Sequence, residues 1–261
     1  MDHPGKPPRF YAPGLAPALA KPGESPGQAD PARLTVPLPP SEGHHAVNVL
    51  RLKEGAAVEL FDGRGGRARG RIEDIRRGHV VVLIEHPGPR RERPQPIVHV
   101  AFAVPKGNRL DWLLEKTTEL GAASLRPTIF DRSIAGAEEL SIAKRERWFG
   151  HCVAAAKQSR LDFLPEVAEP APLPDRLSAR GEALGLLGDL EPDALPLPTA
   201  LGPRRTGQEV LVLVGPEGGL APEERESTLA AGFLPVRLGH TTLRIETAAV
   251  AILAAVSALS E

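Results

Sequence analysis

Arg244 is the residue of this chain whose type and neighbours best fit it for chemistry. It stands in the run Leu238-Gly239-His240-Thr241-Thr242-Leu243-Arg244-Ile245-Glu246-Thr247-Ala248, where a short apolar stretch gives way to a helix-like one. A guanidinium stays charged at any relevant pH. It is therefore a poor general base and a good partner for phosphate or for a developing anion. Glu246 offers a plainer alternative, a surface ion pair worth at most about 1 kcal/mol. Earlier in the chain, Val214-Gly215-Pro216-Glu217-Gly218-Gly219-Leu220 lies at a second junction of the same kind. It lacks the Lys-Ser/Thr of a phosphate-binding P-loop and the glycine spacing of a dinucleotide fingerprint. Its glycines let backbone approach a flat ligand such as an adenosine. A tight strand-to-helix turn accounts for the same residues. Lys106-Gly107-Asn108-Arg109 places two cations beside a predicted helix start, which reads as a phosphate site or as a solvated loop.

The elements that must hold these residues follow from the apolar pattern. From residue 94 onward, strand-like and helix-like runs alternate: strands at 97–104, 125–130, 183–187, 209–214 and 235–238, and helices beginning at Asn108, Glu138, Pro222 and Ile245. Asn108 suits an N-cap, and Leu110, Leu113, Leu114, Thr117 and Leu120 follow at helical spacing. Alternation of this kind predicts an α/β domain with a mostly parallel sheet covered on both faces. Two junctions at one end of such a sheet make a ligand crevice. The last helix is apolar almost all round, from Ala248 to Val256, and so must be buried all round. A subunit interface supplies the natural second wall, and a homodimer is expected.

Before residue 94 the pattern differs. Eleven of the 28 prolines fall in the first forty residues. This stretch is neither sheet interior nor helix interior, and most of 12–40 is expected to be irregular loop. A short helix is expected from Ser41, with His45, Val49 and Leu52 on one face and Gly55 as its stop. Strand signals at 57–61, 66–75 and 79–84, joined by Gly turns such as Asp62-Gly63, predict a small β-barrel-like domain. Pro87, Pro89, Pro94 and Pro96 mark the linker between domains 1–93 and 94–261.

Charge follows the same division. Residues 1–93 carry fifteen Lys and Arg against eleven Asp and Glu, a net of +4, and the remainder a net of −5. Nine arginines against four acids lie between Arg64 and Arg93. A polyanion partner fits this excess, as does a solvated arginine-rich surface. Cys152 is the only cysteine, which excludes an intrachain disulfide and multi-thiolate metal sites, and it reads as core filler. The histidines show no metal-ligand spacing, and no metal is expected. No Gly-x-Ser-x-Gly elbow is present. The prolines of the first twenty residues leave no signal-peptide core, and no apolar run is long enough to span a bilayer. A soluble, cytoplasmic protein without a membrane partner is expected.

The Gly-Pro-Glu-Gly-Gly loop, followed by Leu-Gly and Leu-Arg-x-Glu-Thr-Ala, resembles the bacterial 16S ribosomal RNA uracil-N3-methyltransferases (RsmE-type) of the SPOUT superfamily. Arg9-Phe10, His45 with Val49-Leu50-Arg51, Phe61-Asp62-Gly63, Lys106 with Glu115-Lys116 and Glu119-Leu120-Gly121, Asp131-Arg132-Ser133, and Gln158-Ser159 extend the resemblance over nearly the whole chain. It implies a C-terminal SPOUT α/β domain with a deep trefoil knot, a small N-terminal PUA-like RNA-binding domain, and work as a homodimer. It further implies S-adenosylmethionine as cofactor and N3 of one uridine in the 16S RNA of the small ribosomal subunit as target. Carried onto this chain, Arg244 is the catalytic candidate. Val214, Gly215, Glu217, Gly218, Gly219, Leu238, Gly239, Leu243 and Thr247 are cofactor-binding candidates. Arg9, Arg51, Lys106, Arg132, Gln158 and Arg160 are candidate RNA contacts. The acceptor of the uridine proton stays open among Glu217, Glu246, water and hydroxide. Other targets in the superfamily (a ribose hydroxyl or transfer RNA) and a non-catalytic RNA-binding assembly role are the alternatives. The chain departs from the family pattern at Thr241 and Thr242, where a basic and an apolar residue are usual, and at Leu161, where arginine is common.

Overall fold

Two sheets organise the chain, one in each of two units. A computed structural model describes residues 6–19, 34–133, 141–202 and 207–259. The first unit is Met1–Arg93 together with Ala156–Phe163, and the second is Pro94–Ala155 with Leu164–Glu261.

In the first unit, five strands run in the order β1 (Arg9–Tyr11), β3 (Ala57–Phe61), β4 (Arg67–Arg76), β5 (His79–Pro87), β2 (Thr35–Pro37). β1 lies parallel to β3, with Phe10 opposite Leu60, and the other pairs are antiparallel. Alternation on β5 turns Val80, Val82 and Ile84 inward, where they meet Phe10, Val36, Val58, Leu60 and Ile72. Of the expected loop over 12–40, residues 20–33 lie outside the described residues, and the remainder holds helix α1 (Leu15–Leu19) and β2. Both proline-flanked strands, β1 and β2, sit at sheet edges, where a missing amide costs no ladder bond. The helix expected from Ser41 is α2 (Pro40–His44), continued by a π-helical turn, His45–Val49. That wider turn moves the buried stripe. Glu42, Gly43 and Ala46 point inward, while Val49 is 58% exposed instead of facing the core with His45 and Leu52.

The second unit is an eight-stranded sheet in which every pair is parallel. Its order is β11 (Leu195–Pro196), β13 (Phe233–Arg237), β10 (Leu184–Gly188), β12 (Val210–Val214), β6 (Val98–Ala103), β7 (Ser124–Ile129), β8 (Glu166–Val167), with β9 (Ala171–Pro172) also on β7. β12 is buried at every position, as an inner parallel strand must be. The helices are α3 (Arg109–Glu119), α4 (Ile142–Ser159), α5 (Leu173–Ser178), α6 (Leu197–Leu201), α7 (Pro222–Ala230) and α8 (Ile245–Ala258). The expected start of α4, residues 138–140, lies outside the described residues. The stretch 165–174 contains β8, β9 and the start of α5. Asn108 does occupy the N-cap of α3, but with helical φ and ψ and no side-chain cap bond.

α8 packs against α3, β6 and β12. Ile245, Glu246, Ala249, Ile252, Leu253 and Val256 are its buried side. Val250, Ala251 and Ala254 are only half-buried. Within one chain the helix is therefore covered on one face.

Candidate functional site

A cavity of about 610 Å³ opens at the carboxyl ends of β10, β12 and β13. The ladder sets Gly188, Val214 and Val236 side by side, so the three strands end at one level and their loops converge. This is the crevice that parallel sheets place beyond their carboxyl ends. Its size is that of a pocket for a nucleoside-sized ligand.

The loop after β12 forms one wall. At Gly215 a β-carbon would lie 2.2 Å from Cδ1 of the half-buried Leu220, whose side chain would have to move aside. Gly218 differs. A β-carbon there meets nothing nearer than Arg132 at 3.7 Å, so the space beside it is free for a ligand. Arg132, in the loop after β7, donates from Nη1 to the carbonyls of Gly218 at 2.8 Å and Leu220 at 3.3 Å. Glu224 ties the same region together by accepting from the amides of Asp131 at 2.8 Å and Ala221 at 2.9 Å. Arg109 Nη1 holds Glu217 at 3.0 Å and approaches the buried Glu246 at 4.0 Å.

The loop after β13 and the first turns of α8 form the second wall. Leu238, Gly239, Thr241, Thr242, Leu243, Arg244, Ile245, Ala248 and Ile252 line the cavity. Arg244 is the N-cap residue of α8, with extended φ and ψ. The Arg244–Glu246 surface pair does not form. Glu246 is buried beside Arg109, and Arg244 has no carboxylate partner among the described residues.

The third wall, Gly188 to Glu191 after β10, was not marked by any motif. Its Asp189 is bound to Arg225 of α7 at 2.8 Å. The weak strand signal at 183–187 and the absence of glycines or cations in Asp189-Leu190-Glu191 left this wall unread.

Val214, Gly215, Glu217, Gly218, Gly219, Leu238, Gly239, Leu243 and Arg244 thus meet around one cavity, joined by Arg132. Thr247 does not line it and stands exposed on α8. Lys106 is exposed in the loop after β6, with its carbonyl accepting from Arg109 Nε at 3.3 Å. The other candidates for RNA contact lie in the first unit or at its segment Ala156–Phe163. Arg51 and Gln158 are exposed. Arg9 is not: it is 5% exposed, hydrogen-bonded to Asp162, 3.7 Å from Glu59, and stacked 4.4 Å over the Phe61 ring. Burial pushes its guanidinium below the usual pKa, against the pull of Asp162 and Glu59. Arg160 likewise binds Glu59. Cys152 is buried in α4, and burial pushes its thiol up to about 11, which makes it inert filler. Among the described residues no cluster of His, Cys, Asp and Glu is arranged to hold a metal, and no helix is long and apolar enough to cross a membrane.

Comparison with known proteins gives this geometry a family. The RNA methyltransferase domain family matches residues 91–257, and the RNA methyltransferase PUA domain matches residues 38–85. Ribosomal RNA small subunit methyltransferase E of Synechocystis is 33% identical over 229 residues, covering 87% of this chain and 74% of the relative. The protein of the same name from Bacillus subtilis is 31% identical, covering 84% and 88%. Among solved structures, ribosomal RNA small subunit methyltransferase E of Neisseria gonorrhoeae, bound to S-adenosylmethionine, superposes with a TM-score of 0.81 at 28% identity, covering 97% of this chain and 98% of that one. A Legionella pneumophila methyltransferase in complex with the same cofactor gives the same four values. The matching domains, the relatives that run along most of its length and the three-walled crevice agree: this chain belongs to the ribosomal RNA small subunit methyltransferase E family.

Proposed function

We propose that the protein transfers a methyl group from S-adenosylmethionine to N3 of a uridine in the 16S RNA of the small ribosomal subunit, with Arg244 as the catalytic residue. The observation that carries the reading is a guanidinium on the wall of a nucleoside-sized cavity with no carboxylate to neutralise it. The cavity's residues fit an adenosyl cofactor. Open space lies beside Gly218 and Gly239, and Leu190, Leu238 and Leu243 give the cavity apolar walls. Val214, Gly215, Glu217, Gly218, Gly219, Leu238, Gly239 and Leu243 would hold it, largely through backbone.

When bound, S-adenosylmethionine supplies a methyl group already activated on sulfonium. The remaining work falls to the chain. Uridine N3 carries a proton and is a nucleophile only once that proton has gone. Arg244 favours the uridinate by stabilising negative charge on the uracil oxygens. Glu217 is held by Arg109, and Glu246 does not reach the cavity wall, so in this reading neither takes the proton and it leaves to solvent. Arg51, Lys106, Arg132 and the exposed Gln158 remain RNA contacts in this reading. Arg9 and Arg160, committed to carboxylates, serve the first unit's own packing. The half-buried Val250, Ala251 and Ala254 of α8 support a homodimer closed over that face, which sedimentation equilibrium would detect and a monomer at micromolar concentration would refute.

The test is nucleoside mass spectrometry of 16S RNA and of small subunits from cells lacking the enzyme, incubated with protein and cofactor. N3-methyluridine is expected. A 2′-O-methylated nucleoside, a product only on transfer RNA, or no product at all would overturn the reading.

A further inference from the structure

The cavity wall after β10 is built around one arginine. Asp189 Oδ1 accepts from the amides of Leu190 at 2.7 Å and Glu191 at 3.2 Å, and the Asp189 amide donates to the Val236 carbonyl at 2.9 Å. Asp189 Oδ2 takes Arg225 Nε at 2.8 Å, and Arg225 Nη2 reaches Asp193 Oδ1 at 2.5 Å. A single guanidinium from α7, the helix that follows the glycine loop, thus fixes both ends of the segment 189–193. The bonds act in both directions: Asp193 and Asp189 raise the pKa of Arg225, and Arg225 lowers that of Asp193.

Three carboxylates line the cavity: Asp189, Glu191 and Glu217. Arg225 neutralises the first and Arg109 the third. The Glu191 carboxylate has no ion pair and no hydrogen bond among the described residues. A carboxylate is acceptor-only, with two oxygens. It matches a vicinal diol, both of whose hydroxyls donate, by the same chemistry that sets an acid on the ribose in dinucleotide sites. Beside it the wall is apolar: Leu190, Leu238 and Leu243 are 46%, 39% and 37% exposed. An aglycone against leucine and a sugar against carboxylate divide a nucleoside between these two chemistries.

We infer that Glu191, held toward the cavity by the Arg225–Asp189 clamp, accepts the ribose hydroxyls of the cofactor, and that Arg225 is its positioning residue. This rests on the cofactor reading proposed above. The cofactor carries two other donors, its α-ammonium group and its adenine amine, and the experiment separates the three.

Calorimetric affinities are measured for the wild type, Glu191→Gln, Arg225→Met, Arg225→Lys and the double variant Glu191→Gln/Arg225→Met. The ligands are S-adenosylmethionine, 5′-methylthioadenosine, which keeps the nucleoside and lacks the amino-acid tail, and 5′-methylthioinosine, which also lacks the adenine amine. Glu191→Gln is expected to weaken all three ligands alike by about ten- to hundredfold at an unchanged Tm. Arg225→Met should weaken all three, Arg225→Lys should recover part of the loss, and the double variant should be little worse than Glu191→Gln alone, because Arg225 acts through Glu191. A loss confined to S-adenosylmethionine would assign Glu191 to the ammonium and overturn the ribose reading. A loss that spares only the inosine compound would assign Glu191 to the adenine amine and overturn it too. Unchanged affinity for all three ligands, with or without a fall in turnover, would overturn it as well. Additive losses would overturn the positioning role of Arg225. A wild type that binds none of the ligands would remove the proposed function itself, which distinguishes that failure from the failure of Glu191.

Discussion

A guanidinium that lines a cavity and meets no carboxylate keeps its charge available to whatever enters. Arg244 is in that position, at the N-cap of α8. Arg244→Ala is expected to lower kcat by about 100- to 1000-fold, the typical cost of one oxyanion-stabilising donor, while the cofactor Kd stays within a few-fold. Single-turnover methylation with calorimetry in parallel checks this, and near-normal turnover would sink the assignment. Arg244→Lys should recover little, because a point charge does not reproduce a planar fork of donors. Arg9 shows the opposite case. The family resemblance marks it as an RNA contact, but its anions are Asp162 and Glu59, inside the protein. Asp162 lies 153 residues away in sequence, and no local pattern announces a pairing at that distance.

At the scale of elements, the legible parts were those in which one physical requirement dominates. β12 reads Val-Leu-Val-Leu-Val because it is buried on both faces, and its limits were read within a residue. The glycine loop and the start of α8 were legible because strand, turn and helix follow one another there. β10, between β12 and β13, carries a fainter signal, although its limits too are legible within a residue. Its Gly185 lowers the strand signal for a reason visible only in three dimensions: a β-carbon there would sit 2.8 Å from the Phe233 ring of the neighbouring strand. With β10 faint, the wall that follows it stayed hidden. The glycines of the β12 loop also divide into two kinds, with opposite consequences. Gly218→Val should leave the melting temperature nearly unchanged and weaken cofactor binding at least tenfold, because its side chain would grow into open cavity. Gly215→Val displaces Leu220 and should lower the melting temperature more than Gly218→Val does. Thermal melts beside cofactor titrations distinguish them, and equal behaviour of the two variants would contradict this division.

Across the whole molecule, the segment Ala156–Phe163 belongs with the first ninety-three residues although it lies far along the chain. It brings Asp162 to Arg9, Arg160 to Glu59, and Lys157 to the buried Glu42 at 3.0 Å. Removing one member of a buried pair leaves a bare charge and costs about 3–5 kcal/mol. Asp162→Ala is therefore expected to destabilise the first unit by that order in urea unfolding, whereas substitution of the exposed Gln158 should change little. A stability loss below about 1 kcal/mol for Asp162→Ala would show that Arg9 does not depend on it.

That interleaving sets a rule for anyone who would take the protein apart. A gene fragment ending at Arg93 encodes a sheet whose buried Arg9 has lost Asp162 and keeps only Glu59, and whose buried Glu42 has lost Lys157, so it should express poorly or aggregate. The same fragment fused through a flexible tether to residues 156–163 would carry its own neutralising charges. The first unit is accordingly not a contiguous stretch of sequence but two stretches, joined by charge pairing.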